Sequence, residues 1–107
     1  MTPENVSAII DTVKGTVLPS ERIAMFNKAC AIDPHDTVVI EELSELIKAV
    51  SKINRCHNNE HLKSLMEEIA DVRIVIERIM RKYGIKKDDI DKLVVFKINR
   101  FIDQYGI

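Results

Sequence analysis

The sequence predicts an all-α protein of four or five helices. Apolar residues recur three and four apart, as on a helix with one buried face, and no alternating strand pattern is present. The 3 Gly and 3 Pro are few, and most stand where a helix would start or stop. No repeat, low-complexity tract or linker interrupts the 107 residues, a length near the commonest size of one domain.

The elements follow in order. Thr2-Pro3-Glu4 reads as a helix start, with a capping hydroxyl, proline at the first helical position and an early acid; that helix is expected to end at Gly15. Pro19-Ser20-Glu21 opens a short second helix carrying Ile23, Met25, Phe26 and Ala29. Asp33-Pro34 breaks the chain, with Asp33 or Asp36 as the next cap, and a long helix runs from about His35 to Asn54. Residues 56–60, Cys-His-Asn-Asn-Glu, are turn-like. Asn59 is the expected cap of a fourth helix that reaches Tyr83 and stops at Gly84, and a last helix spans about Asp88 to Gln104.

Composition narrows the functional classes. Hydrophobic residues at 46% and charged residues at 31% fit a folded helical chain and argue against disorder. A net charge of −1 gives no basic footprint, so no nucleic-acid partner is expected. No apolar run approaches the roughly 20 residues needed to span a bilayer, so no membrane partner is expected either. Met-Thr-Pro-Glu has neither a basic start nor an apolar run, and Cys30 and Cys56 make no disulfide framework; both features lead to the expectation of a cytoplasmic protein with reduced thiols.

Two acidic clusters carry the functional information: Glu41-Glu42-Leu43-Ser44-Glu45 and Glu67-Glu68-Ile69-Ala70-Asp71. Glu42 and Glu45 are three apart, as are Glu68 and Asp71, so each pair projects from one side of its helix. On a helical wheel Glu68 falls inside the arc formed by Leu65, Ile69, Val72, Val75, Ile76, Ile79 and Tyr83, with Asp71 just outside it. Glu42 similarly lies inside the apolar arc of the third helix, with Glu45 at its rim and Glu41 further out. A solvated helix face accounts for any single acid, but two matched pairs with an inner member need compensation, because an unpaired buried charge is costly. A divalent cation supplies it. Where a di-iron bundle has Glu-x-x-His, this chain has Glu45 and Asp71 as the third residue. The resulting all-oxygen set favours Mg²⁺, or Mn²⁺ as a substitute, and a phosphate-bearing substrate to complete the coordination.

The arrangement Glu41-Glu42-x-x-Glu45 followed by Glu68-x-x-Asp71 resembles the EExxE…ExxD signature of the all-α nucleoside triphosphate pyrophosphohydrolases, the MazG-like superfamily related to dimeric dUTPases. Ile40–Ala49 and His61-Leu62 through Val72 are similar to small MazG-like proteins of bacteria and their phages. The resemblance covers about residues 35–105, a catalytic core, and leaves the N-terminal helices of residues 1–30 outside it. It implies Mg²⁺-dependent hydrolysis of a nucleoside triphosphate to the monophosphate and pyrophosphate. Glu42, Glu45, Glu68 and Asp71 would be metal ligands, and Glu41 would orient or deprotonate water or help bind a further metal. Lys97, Asn99 and Arg100 on the last helix would reach the phosphates, unless they form only a solvated face. The resemblance also implies a helical bundle completed by a homodimer or homotetramer. No base-reading residue is matched, so the nucleotide stays open. A non-catalytic helical interaction module or a nucleotide sensor is the alternative.

The remaining candidates have plainer readings. Cys56, His57 and His61 form a polar loop without the spacing of a soft-metal site. Met25, Met66 and Met80 fill core positions, and Arg78, Arg81, Lys82, Lys86 and Lys87 form a solvated basic face, with assistance to phosphate binding as an alternative that their spacing does not demand. Glu67 points away from the apolar arc and reads as surface.

Overall fold

The computed structural model describes residues 6–32 and 35–106. Among them are five helices and no strand: α1 (Val6–Thr12), α2 (Ser20–Cys30), α3 (Thr37–Arg55), α4 (Asn59–Lys82) and α5 (Lys87–Tyr105). The all-α expectation is met. Thr2-Pro3-Glu4 and the Asp33-Pro34 break lie outside the described residues. No helix among the described residues is long and apolar enough to cross a membrane.

The helices α3 and α4 form the central antiparallel hairpin, and α2 packs against α4. Their turn is held by side chains. Asn58, rather than the neighbouring Asn59, caps α4, its Oδ1 accepting from the His61 backbone N–H at 2.7 Å. The His61 ring donates from Nδ1 to the Cys56 carbonyl at 2.6 Å, and Asn58 Nδ2 donates to Cys56 Sγ at 3.5 Å. These polar groups therefore close a turn. At the other end of α4, Gly84 takes φ 66°, and Ile85 N–H donates to the Met80 carbonyl at 2.8 Å, which closes the helix in a Schellman motif. The first helix ends at Thr12, before the expected Gly15, where the Thr12 hydroxyl donates to the Ile9 carbonyl at 2.8 Å. Such local side-chain bonds compete with continuation of a helix.

Asp36 ties the open end of the hairpin. It is the N-cap of α3 in the left-handed conformation, φ 53°, yet its carboxylate makes no cap bond. Instead it accepts from Lys82 Nζ at 2.8 Å and from the Tyr83 hydroxyl at 2.8 Å. Those two bonds hold its carboxyl below the usual aspartate range, the Lys82 bond first. Asn tolerates the same backbone conformation, so Asp36→Asn isolates the charge. It is expected to melt at a lower temperature than the wild type near pH 7, and equal melting temperatures would remove the ion pair from the account of the hairpin's stability.

The core of the described residues consists of small side chains: Val6, Cys30, Val39, Ala49, Val72 and Val75 are buried. Much of the apolar arc predicted for α3 and α4 is open, including Leu43, Val50, Ile69 and Ile76. The last helix has no buried residue, and its Phe96, Ile98, Phe101 and Tyr105 are each more than half exposed. The radius of gyration is 16.7 Å, against about 13 Å for a compact domain of this length.

Candidate metal centre

Three carboxylates converge across the hairpin. Glu42 comes from the second turn of α3, and Glu68 and Asp71 come from successive turns of α4, so the antiparallel pairing brings both acidic motifs to one height. One carboxylate oxygen from each lies within 4.8 Å of the others. All three residues are half-buried. Oxygens held by one Mg²⁺ at about 2.0–2.1 Å stand up to ~4 Å apart, so a small side-chain rotation would bring this set to bonding distance.

Burial and like charge set the electrostatics of this cluster. Among the described residues, Glu68 Oε2 is buried without a hydrogen-bond partner, the costly condition for a carboxylate. Burial pushes the Glu68 carboxyl above the usual glutamate range, and the charges of Asp71, Glu42, Glu45 and Glu67 push it further. Burial is also the main cause for Glu42, followed by Asp71, Glu45 and Glu41, with a hydrogen bond to Asp71 that needs the Glu42 proton. Protons or a cation would relieve this repulsion. The donor set, its spread and the orphaned oxygen all fit a hard divalent cation.

The other expected site residues stand differently. Glu45 is exposed, with Oε1 3.2 Å from Lys48 Nζ, close enough for its charge to act on Glu42 and Glu68 but outside the group of three. Glu41 is exposed at the rim. Lys97, Asn99 and Arg100 are exposed on α5, a helix without extensive packing against α3 or α4.

Two residues gain a place that the sequence did not reveal. A cavity of about 150 Å³ beside the carboxylates is lined by Glu42, Asp71, Phe26 and Arg78, together with aliphatic side chains. Arg78, read from sequence as part of a solvated face, is half-buried and donates from Nη2 to the Ala29 carbonyl at 3.3 Å. It lies seven residues after Asp71, two helical turns along the same face, which is the signal for its position. Phe26 arrives from α2 and has no such local signal.

Comparison of the chain with family models, curated proteins and solved structures returns no match.

Proposed function

We infer that this protein is a Mg²⁺-dependent nucleotide pyrophosphohydrolase, which hydrolyses nucleoside triphosphates to the monophosphate and pyrophosphate. The observation that carries this reading is the convergence of Glu42, Glu68 and Asp71, together with a Glu68 Oε2 that is buried and unpartnered among the described residues. The resemblance of both acidic motifs to the MazG-like signature supplies the reaction class. Glu42, Glu68 and Asp71 would hold Mg²⁺ or Mn²⁺, with Glu45 joining them on release from Lys48. A bound Mg²⁺ supplies neutralisation of phosphate charge and activation of a water nucleophile. Glu41, at the rim, would take the proton of the attacking water as its oxygen bonds to phosphorus and the α–β anhydride bond breaks. Pyrophosphate is the leaving group. Arg78, in the wall of the adjoining cavity, adds a fixed positive charge for the phosphates. Lys97, Asn99 and Arg100 would contribute from α5 in the assembled protein.

Pyrophosphate release across canonical and modified NTPs and dNTPs, with Mg²⁺ and with EDTA, tests this function. Metal-dependent release from one or a few substrates is the expected result. The exposed apolar α5 favours a second reading, a non-catalytic interaction or nucleotide-sensing module, and absence of release over the whole panel would select it.

The open apolar arcs of α3, α4 and α5 also support a homodimer or homotetramer, since association would bury what the single chain leaves to water. Light scattering at micromolar concentration is expected to give a multiple of 12.3 kDa. A monomeric mass would defeat the assembly.

A further inference from the structure

A second cavity, of about 260 Å³, lies between α1 and α4. Val6, Ile9 and Ile10 wall it on one side, and Met66 and Ala70 on the other. Asp71 closes one end, so whatever fills this space touches the carboxylate centre. The two cavities that meet at Asp71 differ in chemistry. The smaller holds Glu42 and Arg78, whereas the larger is mostly aliphatic. A nucleotide has the same division, a charged phosphate chain at one end and a flat ring at the other. The larger volume falls just below the roughly 300–1,000 Å³ of sites that enclose a drug-sized ligand, which suits one ring system.

We propose that this α1–α4 cavity receives the base of the nucleotide, with Ile9, Ile10 and Met66 packing on its faces and Glu67 selecting among bases. The proposal rests on the pyrophosphohydrolase reading for its substrate class. Isoleucine side chains give apolar cover to a ring, and a methionine thioether adds a favourable sulfur–aromatic contact. Glu67, half-buried, lines the same cavity, which corrects its reading as plain surface. An ionised carboxylate only accepts hydrogen bonds, and from several donors at once. It therefore suits the exocyclic amino group of cytosine or adenine, which brings two N–H donors, better than uracil or thymine, whose only base-edge donor is the ring N3–H.

The test combines kinetics with methyl NMR. Ala70→Phe fills the cavity and is expected to raise KM for every nucleotide by about tenfold or more, the scale of a lost apolar contact. The melting-temperature increase on adding Mg²⁺ alone should stay at the wild-type value. Glu67→Gln should narrow the ratio of kcat/KM between CTP and UTP. In wild-type protein labelled at its methionine methyls, free cytidine should shift Met66 and leave Met25 and Met80 in place. An unmoved Met66, or a wild-type KM in a folded Ala70→Phe that still releases pyrophosphate, would overturn the base cavity and leave the enzyme standing. A shifted Met66 without pyrophosphate release from any substrate would support the cavity and overturn the enzyme. If Ala70→Phe fails to fold, the Met66 resonance of the wild type decides alone.

Discussion

Glu68→Gln is expected to lower magnesium-dependent pyrophosphate release by on the order of a hundred- to a thousandfold, the scale on which one preorganised charged group acts on a developing transition state. The substitution keeps size and hydrogen-bonding capacity and removes the charge. Glu68 is the position to choose, because its Oε2 has neither solvent nor a protein partner among the described residues and so has most to gain from a cation. The helical circular dichroism of the variant should match the wild type, since removing a repelled, half-buried charge does not unmake the α3–α4 hairpin. Glu60→Gln provides the control: Glu60 is an exposed acid in the first turn of the same helix, and its turnover should remain at the wild-type level. Comparable turnover in Glu68→Gln and Glu60→Gln would dismiss the carboxylate cluster as the catalytic centre.

Why Glu68 was legible in the sequence, when other site features were not, comes down to which forces act locally. A carboxylate inside an apolar arc conflicts with its own helix, and that conflict can be read from spacing alone. Glu42 shows the same conflict on α3, and the short turn between the helices is enough to bring the two together. Glu45 has the right spacing, but Lys48 stands one turn further along and takes its carboxylate in the structure. Glu67 lies on the face opposite the main arc, which is solvent unless another element covers it; α1 does so, through an arrangement of residues far apart in sequence. The reach of Arg78 to Ala29 on α2 is likewise tertiary. Helix ends follow the same rule. Gly84 was readable because a left-handed residue needs glycine there, whereas Asp36 reads as a simple cap and instead serves the far end of α4. The arcs of α3 and α4 have the pattern of a core, and the packing of the described helices leaves much of them exposed.

The same cluster predicts an inverted pH dependence for the metal-free protein. The carboxyls of Glu42 and Glu68 are raised on folding, so between the ordinary glutamate pKa and their elevated values the folded state holds protons that the unfolded state has released. Stability is then fully present below the unfolded pKa and falls as pH rises through the folded values. Asp36 acts in a separate window: its lowered carboxyl contributes above the ordinary aspartate value and is lost only in stronger acid. A scan from roughly pH 5 to pH 8 in EDTA lies above the Asp36 window, and the contribution of the two glutamates is expected to lower the melting temperature across it. Mg²⁺ replaces the protons, so its effect should grow over the same range. At a hundredfold excess over Kd, a ligand specific for the folded state adds about 2.7 kcal/mol. For a domain of this size that is a rise of ~10 °C or more. In Glu68→Gln both behaviours should shrink together, because the variant has one fewer raised carboxyl and one fewer ligand. A metal-free melting temperature that stays level or climbs from pH 5 to pH 8 would separate the carboxylates from the protein's stability. An undiminished Mg²⁺ response in Glu68→Gln would place the ion at other residues.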